Sequence, residues 1–427
     1  MDSMGTPRTT LQLVRRGQFA RLWFAGLVSS LGDWVSLFAT LALGNALGGT
    51  SGVAVPLLGR FLPAVLFGAV SGVVADRFDN RKVMYVSDFA RGVLVLGLVF
   101  VDSLTALFFL TLFIEMFSLV RQPAREAAMA GIVTGEELIR ANSVSVLATY
   151  GTIPLAGIIW TVFATIVPDG AWTSAFVFDS ATFMISATLM ILLALPERTT
   201  ITEREAGGWS LRDAMSDFAE GIRYVATHPR IRIPVFGITG ALFGGAALFV
   251  LGEPFSQDVL GLGSRGFGIV AATLGLGIAA GVFLANYLER LEMEIEFGFA
   301  ISLALAGVGV FIVAFTDLLG TAAAGAAVAG LGTGGTYVLG FTAIHSAVDD
   351  DLRGRTFGAL FTLGRISVVL VLPVAPLVAV VVEGVMPGEL GDGIRFTLAA
   401  AGVIVSIAGV LSAVATARTL ATHGRAP

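Results

Sequence analysis

The sequence contains no cysteine and few charged residues. The missing cysteine excludes disulfides, thiolate metal sites and cysteine nucleophiles. Charged residues make up 13% of the 427 residues, against roughly 25% in soluble domains. Hydrophobic residues reach 56%, and there are 53 glycines. This composition excludes a water-soluble fold and indicates an integral membrane protein.

Lysine is almost absent as well, since Lys82 is the only one in the chain. A P-loop needs Gly-Lys-Ser/Thr, and Lys82 follows Arg81, so ATP binding by that motif is excluded. A buried Schiff-base lysine is excluded in the same way. None of the three histidines begins a His-Glu-x-x-His motif. We therefore predict no catalytic residues, no cofactor and no metal, and thus a protein that is not an enzyme.

A glycine-rich segment, GLGTGG from Gly330 to Gly335, formally matches the dinucleotide-binding pattern G-x-G-x-x-G. That pattern carries meaning only after a strand and before a helix. Here it lies inside an apolar run, so we interpret it as a helix-packing surface.

Long apolar runs recur along the chain, and each can cross a hydrocarbon core of about 30 Å. Counted between charged and Gly/Pro-rich breaks, they predict an all-α integral membrane protein with twelve transmembrane helices in two six-helix halves. The predicted spans are 19–47, 53–75, 83–102, 104–126, 141–167, 172–195, 231–255, 266–288, 296–316, 320–347, 356–384 and 395–418.

The one long polar stretch, Pro196–Arg232, separates the two sets of six spans. We expect an N-terminal half at 1–195, a cytoplasmic linker at 196–230 and a C-terminal half at 231–427. The linker is expected to contain one amphipathic helix, from Ser210 to Ala226.

Arginines in the predicted loops fall almost entirely on one side of the membrane; the exceptions are Arg265 and Arg395. Because basic residues are retained in the cytoplasm, this bias predicts that both termini and the linker are cytoplasmic. The expected location is the cell membrane.

The segment GVVADRFDNRKV, Gly72 to Val83, concentrates charge directly after an apolar run. Arg77, Arg81 and Lys82 form a strong cytoplasmic retention signal. A loop that is merely solvated is the alternative interpretation for all five charges, which are Asp76, Arg77, Asp79, Arg81 and Lys82.

This Gly-x3-Asp-Arg-x3-Arg-Lys pattern, between the second and third spans, resembles the signature loop of the major facilitator superfamily. The usual form has glycine where this chain has Asp79 or Asn80. The resemblance extends over most of the chain, towards enterobactin-exporter-like and macrolide-efflux-like permeases. It is carried by FARLWFAGLVSSLGDWV (19–35), GRFLPAVLFGAVSGVVADR (59–77), RQPAREAAMAGIV (121–133), AFVFDSATFMISA (175–187), EGIRYVATHPRIR (220–232) and LRGRTFGALF (352–361).

The resemblance implies the major-facilitator fold and a gating role for the charged loop. Asp76 would lie against the N-terminus of the eleventh span, near Thr356, where free amides and the helix dipole favour an anion. Arg125 is a further candidate for this inner gate, with plain cytoplasmic placement as the alternative. The gating set is Gly72, Asp76, Arg77, Arg81, Lys82 and Arg125.

The fifth span carries a second feature of the resemblance. Gly151, Pro154 and Gly157 resemble the glycine-proline pattern of the superfamily's antiporters, although with a different spacing.

Charged residues within the spans are functional candidates, because a charge in the bilayer is costly. Asp33, at mid-depth of the first span, is the first candidate for coupling, and Glu115 in the fourth span reaches a similar depth. Burial favours the protonated form of a carboxyl group, so both could carry protons; they could equally attract a cationic substrate. The full cavity set is Asp33, Trp34, Arg60, Glu115, Asp179 and Arg365.

Each of these candidates also has a structural interpretation. Arg60 could simply pair with Asp33 or another acid, and Trp34 could pack in the core. Asp88 and Arg91, three residues apart, are expected to form a local ion pair.

The function expected from these features is secondary active transport by proton-coupled alternating access, with export of a small amphipathic drug, siderophore or metabolite. Import or uniport of a nutrient and a non-transporting membrane sensor are the alternatives, and sodium could replace the proton. The expected partners are the lipid bilayer and a small-molecule substrate, with no nucleic acid, and the chain is expected to be monomeric.

Overall fold

The computed structural model describes residues 10–15, 17–133, 136–195, 223, 225–289, 294–348, 350–385 and 392–423. Within these ranges some side chains lie outside the description, among them those of residues 68–77, 350–355 and Arg365. The chain divides into two compact units, Met1–Thr199 and Thr200–Pro427. Throughout the described ranges the regular structure is helical, as predicted.

The first unit contains eight described helices. They are α1 Thr10–Val14, α2 Gly17–Gly52, α3 Ala54–Arg77, α4 Asn80–Gly97, α5 Leu104–Ile132, α6 Glu136–Tyr150, α7 Ile153–Ile166 and α8 Ala171–Ile191.

Helix breaks in this unit occur where glycine and proline predict them. Gly49 in α2 has a φ of 60°, and Gly48 is also non-helical, so the straight part of α2 ends near the predicted boundary at 47. The predicted fifth span is divided into α6 and α7, and Pro154 occupies the first turn of α7. Proline is favoured there because that amide has no helical partner.

Helix α5 continues to Ile132, so the predicted end of the fourth span at 126 is wrong. Ser103 caps its N-terminus by accepting a hydrogen bond from the amide of Ala106. The extension places Arg121 and Arg125 inside the helix, where both are buried, rather than at its end.

The second unit contains six further described helices. They are α9 Pro229–Pro254, α10 Gly263–Glu289, α11 Ile295–Ala314, α12 Leu319–Ala347, α13 Asp350–Val385 and α14 Gly393–His423. A π-helical turn, Phe255–Val259, follows α9. The predicted linker at 196–230 and its helix at Ser210–Ala226 lie largely outside the described residues.

Eleven segments of the described chain are long and apolar enough to cross a membrane. The remaining predicted span corresponds to α3, Ala54–Arg77, of which the apolar part Ala54–Ala64 lies within the fully described residues. The prediction of twelve membrane helices agrees with this structure.

Close helix packing in the second unit explains the glycine-rich segment. A methyl group on Gly330 or Gly334 would collide with the backbone of α10, and one on Gly277 or Gly281 would collide with α12. Gly332 approaches the backbone of α11 in the same way. The interpretation of this segment as a packing surface is confirmed.

Candidate functional site

An ion pair between α2 and α4 forms the centre of the candidate site. Arg91 Nη2 lies 2.5 Å from Asp33 Oδ1. The guanidinium also lies over the ring of Phe183 on α8, 4.1 Å from its centroid, which is a cation–π contact. Arg91 is 2% exposed. Each of these two charges therefore has the other as its closest counter-charge.

Arg60 on α3 lies between two acids. Its Nη2 is 3.9 Å from Asp33 Oδ1, and its Nε is 3.9 Å from Glu115 Oε2 on α5. The expectation that Arg60 pairs with Asp33 or another acid is therefore met by both acids at once. These contacts are much longer than the pair of Asp33 with Arg91, so Arg60 is the least tightly held charge in the group.

Asp88 on α4 extends the cluster along the same unit. Its Oδ1 lies 3.8 Å from Arg91 Nη1 but only 2.6 Å from Arg121 Nε on α5. Ser186 on α8 donates a 2.6 Å hydrogen bond to Asp88 Oδ2. The predicted pair of Asp88 and Arg91 is present, but its members have closer partners on other helices.

Asp179 on α8 is the carboxylate of this group without a close cation. It is 1% exposed, and among the described residues no cationic nitrogen lies within 4 Å of it. Thr182 donates a 3.2 Å hydrogen bond to its Oδ1, and Ser36 on α2 also bonds to it. Its direct contacts are thus with hydroxyl groups, and Arg91 acts on it only at longer range.

Gly32 determines how closely α2 approaches α8. A methyl group at this position would collide with the side chains of Thr182 and Asp179. The residue next to Asp33 must therefore be small, and the close approach brings Asp33 and Asp179 to one cavity.

The cavity is partly open and is lined by residues of α2, α3, α4, α5 and α8 and of the turn after α4. The space open to the centre of a water molecule is about 20 Å³, which is enough for roughly one water. A drug-sized molecule does not fit. It is lined by Asp33, Ser36, Leu37, Thr40, Pro56, Arg60, Val95, Leu98, Thr111, Ile114, Glu115 and Asp179.

Four of the six predicted cavity residues thus meet around one cavity, namely Asp33, Arg60, Glu115 and Asp179. Trp34 is not among its lining residues; its Nε1 donates a 2.9 Å hydrogen bond to the carbonyl of Thr149 on α6. The side chain of Arg365 lies outside the described residues.

The charged loop is described only in part. Asp79 caps α4 by accepting a 3.1 Å hydrogen bond from the amide of Lys82, a role that the sequence analysis did not assign. Arg81 Nη1 lies 3.5 Å from the carbonyl of Leu193, at the end of α8. The side chains of Gly72, Asp76 and Arg77 lie outside the described residues, so their gating role stays a prediction.

Sequence reasoning missed the participation of Arg121 and Ser186. The signal was the run of strong helix formers in AREAAMA (124–130), which carries α5 past Pro123 to Ile132. Because α5 continues through this segment, Arg121 is buried inside the first unit. A buried arginine requires an acidic partner, and Asp88 is that partner.

Three comparisons with known proteins agree on the family. A family model described as "Major Facilitator Superfamily" matches residues 22–372. From Bacillus subtilis, "Uncharacterized MFS-type transporter YfiS" is 27% identical over 55% of this chain and 54% of its own length. "Uncharacterized MFS-type transporter YkuC" is 27% identical over 72% of this chain and 73% of its own. "Putative bacilysin exporter BacE" is 29% identical over 62% of this chain and 65% of its own. The match thus spans about half to three quarters of these relatives.

Solved structures give the same fold. A bacterial homologue of the human lysosomal transporter Spinster, in an inward-facing conformation, has a TM-score of 0.71 at 15% identity, covering 94% of this chain and 97% of the other. The nucleoside transporter NupG has a TM-score of 0.68 at 11% identity, covering 94% and 99%. The resemblance inferred from the sequence is confirmed at the level of the superfamily. The chain belongs to the Major Facilitator Superfamily, a family of multi-pass membrane transporters rather than of enzymes.

Proposed function

We propose that this protein is a proton-coupled exporter of small amphipathic molecules in the cell membrane, with both termini cytoplasmic. The observation that carries the proposal is Asp179, a buried carboxyl group without a close cation that lines a water-sized cavity with two other acids. A buried acid of this kind favours the protonated form. A cavity that admits only water suits a proton and excludes the organic substrate.

The proton is assigned to Asp179 because the other acids have cationic partners. Asp33, the first candidate from the sequence, is held by Arg91 at 2.5 Å. Glu115 shares Arg60 with Asp33. When Asp179 loses its proton, the new negative charge joins a site whose nearby cation, Arg91, already compensates Asp33.

Export is supported by the relative named as an exporter, which is 29% identical over 62% of this chain. The arginine bias of the predicted cytoplasmic loops supports the orientation. The small amphipathic class of substrate rests on the branch resemblance of the sequence. Alternating access would carry the substrate outwards as protons enter.

The test is expression in an efflux-deficient bacterial host, with a panel of lipophilic drugs and siderophores. The proposal predicts lower accumulation of at least one compound than in cells with an empty vector, and loss of the difference on addition of a proton uncoupler. Higher accumulation on expression would indicate an importer. A difference that survives the uncoupler would refute proton coupling, and no difference for any compound would favour a sensor.

A matched pair of variants isolates the site. Asp179→Asn should abolish uphill export while leaving the protein in the membrane. Asp169→Asn, in the exposed turn before α8, should export as well as the unmodified protein. Equal export by both variants would mean that Asp179 is structural.

A further inference from the structure

Another buried carboxyl group lies in the second unit. Glu253 is the penultimate residue of α9, and its side chain is fully buried. The predicted sites do not include it. On the side predicted to be extracellular, it is followed directly by the π-helical turn Phe255–Val259.

The carboxyl group is satisfied at one oxygen only. Ser264, at the start of α10, donates a 2.5 Å hydrogen bond to Glu253 Oε1. Oε2 is buried and has no hydrogen-bond partner among the described residues. Since a buried polar atom is normally paired, this exception requires an explanation.

No positive charge compensates this acid within the described part of the chain. The neighbouring titratable group is Asp258, an exposed acid in the π-helical turn. Arg265 on α10 and Glu383 on α13 are exposed and make no ion pair with it. Arg395, which begins α14, pairs instead with acids at other positions, Asp317 and Asp392.

The groups on the remaining elements packed against α9 lie at the other ends of their helices. Glu296 begins α11, and His345 ends α12. Neither element brings a described charge to Glu253. An ionised carboxylate here would be an unpaired buried charge, which proteins avoid by neutralising the group.

Further hydrogen bonds close the turn that follows Glu253. Ser256 donates a 2.5 Å hydrogen bond to the carbonyl of Gly263. The amides of Leu260 and Leu262 bond to the carbonyls of Phe255 and Ser256, each at 3.0 Å. The bond from Ser264 to Glu253 joins the two ends of this loop. Asp258, one helical turn away, is in solvent, so the path for a proton is short.

From this geometry we infer that Glu253 is a second proton-binding site, which latches the turn between α9 and α10 when it is protonated. Loss of the proton to water leaves a carboxylate that cannot remain in the apolar site. The turn then opens so that water can reach the carboxylate. This site lies beyond the proposed function, since it acts in the other unit and would exist in an importer or a uniporter as well.

Hydrogen–deuterium exchange of the full-length protein in detergent tests the inference. The peptide containing Leu260 and Leu262 is followed from mildly acidic to alkaline pH in the unmodified protein and in Glu253→Gln, which mimics the protonated acid. Comparison at the same pH removes the intrinsic effect of pH on exchange. We follow the exchange rate of the unmodified protein divided by that of the variant. This ratio should rise with pH by up to about tenfold per pH unit, because loss of the proton favours the open turn. The rise should end at the pH where Glu253 ionises in the closed turn as well. A ratio that does not change with pH overturns the inference.

Two further variants keep the test decisive. Asp258→Asn removes the other acid of the turn and should retain the pH dependence of the unmodified protein; if it abolishes that dependence, Asp258 is the responsible group. Ser264→Ala removes a hydrogen bond that stabilises ionised Glu253 more than neutral Glu253. In this variant the exchange rate of the turn should therefore go on rising to a higher pH than in the unmodified protein. If Glu253→Gln does not fold, identical pH profiles for Ser264→Ala and the unmodified protein still overturn the inference.

Discussion

Arg91 on α4 pairs with Asp33 on α2 at 2.5 Å while its guanidinium lies on the ring of Phe183. This pair joins three helices of the N-terminal unit through one side chain. Asp33 Oδ1 also lies 3.9 Å from Arg60, so the same oxygen connects a tightly held cation and a loosely held one. The short contact with Arg91 holds Asp33 in place, whereas the long contact leaves Arg60 able to move.

The first prediction concerns the stability of this pair. Arg91→Met should destabilise the protein by up to about 3–5 kcal/mol, because it removes the buried partner of the half-buried Asp33 and leaves it only the more distant Arg60. Thermal unfolding in detergent measures the change. The double variant Asp33→Asn with Arg91→Met should recover part of the loss. Lys82→Met, at an exposed position near the start of α4, is the control and should unfold like the unmodified protein.

The second prediction concerns Ser186, which donates to Asp88. Ser186→Ala should cost roughly 1.5–3 kcal/mol, since a hydrogen bond to a charged group in a buried site is lost. Thr188→Ala on the same helix removes an exposed hydroxyl that bonds only within α8, and it should have a small effect. Equal melting temperatures for the two variants would show that Asp88 does not need Ser186.

The third prediction concerns the approach of α2 to α8. Gly32→Ala introduces a methyl group that collides with Thr182 and Asp179, and overpacking of this kind costs roughly 1–3 kcal/mol. It should also reduce transport, because the cavity is displaced. Gly245→Ala in α9 meets nothing within 4 Å, so it should be neutral or slightly stabilising. Unimpaired transport by Gly32→Ala would separate this contact from the function.

The fourth prediction concerns orientation. Because nearly all loop arginines fall on one side, a reporter fused at Gly207 should be cytoplasmic, and one in the turn at Gly261 should be extracellular. Alkaline phosphatase and a fluorescent protein, fused in turn at each position, measure the two locations. Phosphatase activity at Gly207 would invert the proposed direction of transport.

The fold could be predicted from the sequence to a large extent, because membrane spans are long and their ends are chemically distinct. The break in α2 at Gly48 and Gly49 agrees with the span boundary read from composition. The extension of α5 to Ile132 was not predicted, because charges at Arg121 and Arg125 look like the end of a span. Arg121 can be buried there because it forms an ion pair with Asp88, and the sequence does not show that contact.

The sequence was sufficient to predict which residues belong to the site, but not which of them pair with one another. Rarity of charge inside the spans indicated Asp33, Arg60, Glu115 and Asp179, which share one cavity. Their pairing depends on helix approach, which the sequence expresses only through small residues such as Gly32. Glu253 escaped notice because it lies near the end of a span, where an acid is normally solvated.

The most direct test of the proton-coupled account uses purified protein in proteoliposomes, with the best substrate from the panel. An imposed pH gradient alone should drive uphill movement of the substrate by the unmodified protein. Asp179→Asn should lose uphill movement but retain counterflow exchange, because substrate binding does not require the proton site. Uphill movement by Asp179→Asn at the unmodified rate would contradict the account, as would substrate movement in the unmodified protein that is insensitive to the pH gradient.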